Sequence, residues 1–198
     1  MAQQIEDQFY SVDSYFELLN KSLDKYEFFR GRVYLMSGGT PEHAIIIGNT
    51  VTALNNALDE KDCQVYSSEV LIQVQTKSHY TFSDATVVCG QPSYEKYKNN
   101  LLLTNPELIV EVLSPSTHNY DRGTKFQLYK AIKSFQDYLL IDSRQVYIQH
   151  FRKIDDNTWQ EKTYKNLNDT IFLENFGIDL EVGRIYRRIK FEQEPEII

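Results

Sequence analysis

The chain has 198 residues, 41% of them hydrophobic and 13% aromatic, which is enough for one α/β domain with a proper core and short for two. Its 21 basic residues stand against 28 acidic ones, a net charge of −7, which argues against tight, non-specific nucleic-acid binding over the whole surface but leaves room for a local basic cleft. Cys63 and Cys89 form no CxxC pair and have no histidine at ligand spacing, so zinc is unsupported and reduced, structural thiols are expected. The first eight residues lack the basic and apolar regions of a signal peptide, and no run approaches the ~20 apolar residues of a membrane helix. These features predict a soluble, cytoplasmic protein with no membrane contact.

Residues 11–20 carry Val12, Tyr15, Phe16 and Leu19 at helical spacing. Two short β-rich runs, 26–29 and 32–36, flank Arg30-Gly31, a two-residue hairpin signal. Thr40-Pro41 reads as an N-cap followed by proline at the first helical position, and Ala44, Ile47, Val51, Leu54 and Leu58 then recur at steps of three and four. Short strands are expected at 64–67 and 70–75, followed by one β-rich run at 82–89 and another at 107–113. The polar stretch 90–106 reads as a loop, and 120–135 as a second long helix. A buried strand at 138–142 and an outer hairpin at 145–151 and 158–164 follow, with a disordered tail at 191–198. The order predicts a single domain, 1–198 with a core of about 11–186. Its fold is a mixed β-sheet flanked by α-helices, with one strand–helix–strand crossover from the 107–113 strand to the 138–142 strand.

Three residues break the apolar pattern. Glu111 lies at the centre of the strand-like Glu107-Leu-Ile-Val-Glu-Val-Leu113, and Asp84 interrupts the 82–89 run. A buried ionised carboxylate must be paired, protonated or bound to a cation. If the two strands are neighbours, both acids can meet on one face, where a divalent cation, Mg2+ or Mn2+, would relieve their repulsion with the Val112 carbonyl as a third ligand. Lys125 shares a helical face with Leu128, Tyr129 and Ile132, which aims its ammonium group inward, where it can orient a water or stabilise phosphorane charge. The plainer alternative is a surface pair with Asp121 at i,i+4.

The series Tyr26-Glu-Phe-Phe-Arg-Gly-Arg-Val-Tyr-Leu-Met, His43, Ser83-Asp84, Glu107-Leu-Ile-Val-Glu-Val-Leu-Ser-Pro-Ser116, Asp121, Lys125, Tyr129 and Asp137-Tyr-Leu-Leu-Ile-Asp142 resembles the Uma2 family, a branch of the PD-(D/E)XK nuclease superfamily. The resemblance runs from about residue 11 to 186. It implies a restriction-endonuclease-like core and Mg2+-dependent hydrolysis of DNA, with Asp84 and Glu111 as metal-binding acids and Glu27 as a further metal or water ligand. It also carries the expectation of a homodimer, with the 145–164 hairpin as a candidate interface. The chain departs from the superfamily pattern at Ser83, where proline is usual, and at Leu113, where the lysine is usual; the resemblance makes Lys125 its replacement.

His43 lies in the first turn of its helix, where it can contact a phosphate or hold Glu27, or serve as a cap or core residue. Tyr129 can donate to a phosphate or simply pack. Ser114 and Ser116 can support the acids or form an ordinary turn, and His79, His118 and His150 have no partner legible in the sequence. Candidate DNA-facing bases are Lys96, Lys98, Arg122, Lys130 and Lys133. The leading expectation is therefore a metal-dependent DNA endonuclease. The alternatives are a non-cleaving nuclease-fold module that binds nucleic acid or protein, with Glu111 and Lys125 as a structural ion pair, and a hydrolase of some other phosphodiester.

Overall fold

The computed structural model describes residues 3–4, 8–36, 39–75, 78–114 and 120–191; Ser116, His118 and the 192–198 part of the expected tail lie outside them. The first half of the chain contains β1 (Gln3–Gln4), α1 (Val12–Lys21), β2 (Tyr26–Phe29), β3 (Arg32–Leu35), α2 (Pro41–Leu58), β4 (Cys63–Ser67), β5 (Leu71–Gln75), β6 (His79–Phe82) and β7 (Ala85–Cys89). Then come β8 (Tyr94–Tyr97), β9 (Asn100–Leu103), β10 (Leu108–Leu113), a π-helical turn (Tyr120–Lys125) and α3 (Phe126–Tyr129). The chain closes with β11 (Asp137–Asp142), β12 (Ile148–Lys153), β13 (Trp159–Tyr164), β14 (Thr170–Leu173), β15 (Ile178–Glu181) and α4 (Val182–Ile185).

Two large mixed sheets replace the single sheet expected. One has the order β1-β3-β2-β6-β5-β9-β8, the other β13-β12-β11-β10-β7-β4, and β14 and β15 form a separate hairpin. The expected crossover is present: β10 and β11 are parallel, with Glu111 opposite Leu140, and every other pairing in their sheet is antiparallel. The run at 82–89 is not one strand. Phe82 ends β6 in the seven-stranded sheet and Ala85 begins β7 in the six-stranded sheet, so the chain changes sheets at Ser83-Asp84.

The faces follow from the period-two alternation of strands. On β10, Leu108, Val110 and Val112 pack with Ile46, Leu54 and Leu58 of α2 and with the C-terminal hairpin. Ile109 and Leu113 face the other way, against Ile72, Val74 and Leu103 of the seven-stranded sheet and Tyr129 of α3. The outer face of the seven-stranded sheet is covered by Tyr15 and Phe16 of α1, which meet Tyr80 at 5.9 and 5.1 Å.

Local signals explain several boundaries. Ser11 caps α1 through a reciprocal box with Ser14, and Thr40 caps α2 by accepting from the His43 amide at 3.3 Å. The β2–β3 turn needs positive φ at both central residues, Arg30 (49°) and Gly31 (83°). A side chain at Gly31 would also strike Phe9, whose ring would lie 2.6 Å from the added Cβ.

Three local expectations change. The 90–106 stretch is a hairpin, β8–β9, whose exposed residues hid its strand character. The 120–135 helix is a π-helical turn followed by one short α-helix, because the aromatic contacts of Phe126 and Phe135 bend the segment around Trp159. Cys63 and Cys89 are not free thiols. They lie directly opposite one another on β4 and β7 and form a disulfide, a pairing that only the sheet register determines.

The disulfide ties the edge strand β4 to the strand that leads from Asp84. With a sequence separation of 26 between its cysteines it should stabilise the fold by about 3.5 kcal/mol through lost chain entropy. Thermal unfolding with and without dithiothreitol should show that loss, and Cys63→Ser with Cys89→Ser should remove the reductant sensitivity.

Candidate active site

The site lies where both sheets, α2 and the π-helical turn converge. In the antiparallel register of β7 and β10, Val110 faces Ala85, and the next step places Glu111 opposite Asp84. Asp84 stays at the mouth of this corner. Its amide donates to the Val110 carbonyl at 3.2 Å and its Oδ2 accepts from the Val112 amide at 2.7 Å. On the other sheet, the register of β2 and β6 pairs Phe28 with Tyr80, and the next step places Glu27 opposite Thr81.

Lys125 joins the two sheets. Its Nζ lies 2.9 Å from Glu111 Oε1, 3.0 Å from Glu27 Oε1 and 3.9 Å from Asp121 Oδ1, and it donates to the Phe82 carbonyl at 3.2 Å. The side chains of Lys125, Glu27 and Glu111 are only 4%, 3% and 6% exposed. The surface-pair alternative is therefore wrong for Lys125 and Asp121: both are buried. The next residue, Phe126, fixes the lysine's approach by stacking on Tyr138 at 5.1 Å and packing on Phe151 at 4.7 Å. Tyr138 also donates to the Asp121 carbonyl at 3.1 Å, which anchors the π-helical turn.

Around this centre, Tyr129 donates to Glu111 Oε1 at 2.7 Å and Thr81 donates to Glu27 Oε1. Tyr129 thus orients an acid. Thr81 had no signal in the sequence, because its role comes from a register between distant strands. His43 does not hold Glu27; its Nε2 lies 3.5 Å from Asp84 Oδ2, and each of the two side chains is 16% exposed. His150 belongs to a separate buried cluster, 2.6 Å from Asp137 Oδ1, with Asn175 donating to Oδ2 at 2.7 Å. Asp142 ends its strand and accepts from the Arg144 amide at 2.9 Å.

Burial sets the electrostatics. It pushes Glu111 well up, helped by Asp121 and Asp84 and opposed by Lys125. For Lys125, burial alone would lower the pKa, but Glu111 and Glu27 outweigh it and hold the ammonium well above the usual lysine value. Burial also acts to lower His43, yet Asp84, the Val112 carbonyl and Asp121 leave it raised. His79, whose ring nitrogens have no hydrogen-bond partner among the described residues, is pushed down to about 4 by burial.

Four carboxyl groups (Glu27, Asp84, Glu111 and Asp121) therefore surround one ammonium and one imidazole. Carboxylate and carbonyl oxygen are what Mg2+ and Mn2+ take, so the donor set fits such an ion at Asp84, Glu111 and the Val112 carbonyl. Among the described residues, no three His, Cys, Asp or Glu side chains are grouped so that they could hold a metal ion by themselves.

The fold thus brings Asp84, at the corner between the two sheets, and Glu111, on β10, close to one buried lysine. The sequence matches the Uma2 family, described as "Putative restriction endonuclease", over residues 12–183, and the chain belongs to that family. In Synechocystis sp. (strain ATCC 27184 / PCC 6803 / Kazusa) it is similar to "Uncharacterized protein slr1290", with 37% identity covering 91% of this chain and 93% of the relative. "Uncharacterized protein sll1609" of the same organism is 27% identical, covering 73% and 81%. A crystal structure from Anabaena variabilis ATCC 29413, of "a putative nuclease belonging to DUF820", superposes with a TM-score of 0.70 over 89% of this chain and 97% of that one. At 13% identity that likeness establishes the fold. No helix among the described residues is long and apolar enough to cross a membrane.

Removing the lysine would strand two buried acids. Lys125→Met should cost about 3–5 kcal/mol near pH 8. Because the orphaned carboxyls would then bind protons more readily folded than unfolded, the deficit should narrow towards pH 5, as urea unfolding at the two pH values would show.

His79 predicts the opposite limb. Its folded pKa is below the unfolded value of 6.5, so its contribution is complete above pH 6.5 and is lost as pH falls towards 4, by about 3 kcal/mol at most. His79→Leu should flatten the decline in stability between pH 7 and 4.

Proposed function

We propose that the chain is a metal-dependent endonuclease that hydrolyses phosphodiester bonds in DNA, with Mg2+ or Mn2+ as its ion. The observation that carries this reading is the surplus of carboxylates around Lys125, with Glu111 on β10 and Asp84 at the adjoining corner, where its Oδ2 accepts from the Val112 amide. Asp84, Glu111 and the Val112 carbonyl would hold the ion. When bound, the ion would polarise a phosphoryl oxygen and lower the pKa of a water beside it.

The protein's own groups divide the remaining work. Lys125 is held charged, so it does not serve as a general base. Its three donors are directed to Glu27, Glu111 and Phe82, and its main effect is to fix the acids and to supply positive potential behind them. Tyr129 keeps Glu111 in one orientation and Thr81 does the same for Glu27. Asp84 and His43 form the more accessible side, where a phosphate can approach.

The complete engagement of Lys125 also favours a second reading, a non-cleaving nuclease-fold module in which this cluster is structural. Incubating the protein with supercoiled plasmid and Mg2+ or Mn2+ separates the two. Under the nuclease reading nicking requires the ion, and both Asp84→Asn and Lys125→Met reduce it by at least 100-fold while circular dichroism confirms that each variant is folded. Inactive wild-type protein across DNA substrates, with no Asp84-dependent ion binding, would support the module instead.

A further inference from the structure

Resting on the nuclease reading above, we propose that the exposed basic turn Arg187-Arg188-Ile189-Lys190 is a docking surface for the phosphate backbone of duplex DNA, beside the open side of the site. Charge distribution singles it out. Residues 182–191 carry four cations (Arg184, Arg187, Arg188 and Lys190) and no acid, in a chain whose net charge is −7. Arg184 is paired with Glu181 at 3.2 Å, and Arg144 and Arg152 are likewise held by Asp142 and Glu174. Among the described residues, Arg187, Arg188 and Lys190 are exposed and have no ion-pair partner.

The turn is anchored so that those cations stay in place. Val182, Ile185 and Tyr186 are buried in the cluster that includes Ile46 and Leu54 of α2. The Tyr186 hydroxyl donates to the Asp142 carbonyl at 2.9 Å. From α2, the Asn49 side-chain amide donates to the carbonyls of Ile185 and Arg187, at 3.0 and 2.8 Å. Both carbonyls lie at the C-terminal end of α4, where an unsatisfied oxygen would repel a phosphate. Arg188 then adopts a φ of 68°, in the left-handed region where glycine or asparagine is usual. The chain thus keeps an arginine where its backbone does not favour one.

The surface also lies within reach of a substrate at the site. His43 and Asp84 are the partly exposed members of the acidic cluster, and α2 links them to the turn. On that helix Asn49 comes six residues after His43, about 9 Å along the axis, or roughly the rise of three base pairs. Between the two positions α2 exposes Ala44, Ile45 and Gly48, with no acid. A duplex carries one negative charge per ~1.7 Å of its axis, so neighbouring cations can meet separate phosphates. Guanidinium matches phosphate through paired donors. The acidic balance of the rest of the chain repels DNA, so a patch of unpaired cations sets how the duplex lies.

Fluorescence anisotropy of a labelled duplex oligonucleotide, titrated with the full chain in EDTA, tests this without any cleavage. The full chain carries Glu192, Glu194 and Glu196 directly after the turn, so the titration reads the patch as the protein bears it. Arg187→Gln with Arg188→Gln should bind about 10-fold more weakly at about 0.1 M salt, with the slope of log affinity against log salt reduced by roughly two. Arg187→Lys with Arg188→Lys should keep that slope, because the charge remains. Lys21→Gln removes a cation from α1, on the outer face of the other sheet, and should change affinity less than about twofold. Wild-type binding that the glutamine pair leaves unchanged, or a loss matched charge for charge by Lys21→Gln, would overturn the docking surface and leave the nuclease reading standing. Wild-type protein that binds no duplex would also overturn it, and the plasmid assay would then decide the nuclease reading separately.

Discussion

The structure depends on an ammonium group placed where no water can serve it. Taking Lys125 out of solvent costs several kcal/mol, and so does burying Glu27 or Glu111; only their mutual proximity makes the three tolerable. Glu27 is on β2 of one sheet, Glu111 on β10 of the other, and Lys125 enters from the π-helical turn. None of these elements can shift without exposing an unpaired charge to an apolar interior. The two sheets are thus tied together by this ionic cluster beside the apolar packing of Ile72, Val74 and Leu103 against Val88, Ile109 and Leu113.

That constraint also explains the position of Asp84. The chain must leave β6 beside Lys125, whose ammonium takes the Phe82 carbonyl, and enter β7 beside β10. The two residues of the changeover, Ser83 and Asp84, cannot both make regular ladder bonds to the two sheets. Asp84 uses its side chain for one of them, accepting the Val112 amide. An acid at a sheet-to-sheet corner therefore satisfies the backbone and faces the site at the same time. Replacing the usual proline by Ser83 is compatible with this corner, since the serine hydroxyl donates to the Ala85 carbonyl at 3.2 Å.

Much of the arrangement was legible because it is written in short-range patterns. The α2 periodicity, the Arg30-Gly31 turn and the anomalous acid in β10 each reveal themselves within one short stretch of chain, and the strand-to-strand crossover follows from consecutive elements. Asp84, Glu111 and Lys125 stand out for that reason, whereas Glu27 is singled out only by the family resemblance. The remainder depends on register between distant strands. The division into two sheets, the Cys63–Cys89 disulfide, Thr81 beneath Glu27 and His43 against Asp84 rather than Glu27 have no local signature. The β8–β9 hairpin was missed for a different reason: its first strand is exposed and polar, so period-two burial never appears. Of the bases expected to face DNA, Lys98 is engaged by Asp13 at 2.8 Å and Lys130 lies over the rings of Phe126 and Trp159, contacts that no sequence window displays.

Leu113 shows why a lysine can leave its usual place in such a site. Residues 111 and 113 of β10 share a face, so a lysine at 113 would project beside Glu111 into the space between the sheets. Leu113 instead completes the apolar cluster there, with Ile72, Val88 and Leu103. The ammonium arrives from the π-helical turn and reaches Glu111 at 2.9 Å all the same. What the strand gives up in charge it gains in packing, and the wider turn aims Lys125 while Phe126 locks its backbone among the rings of Tyr138 and Phe151. A π-helical turn at this point fits that demand, because one extra residue in the turn rotates the following side chains relative to a regular helix. Under the proposed nuclease reading, the site requires a cation at a point in space and is indifferent to which element delivers it.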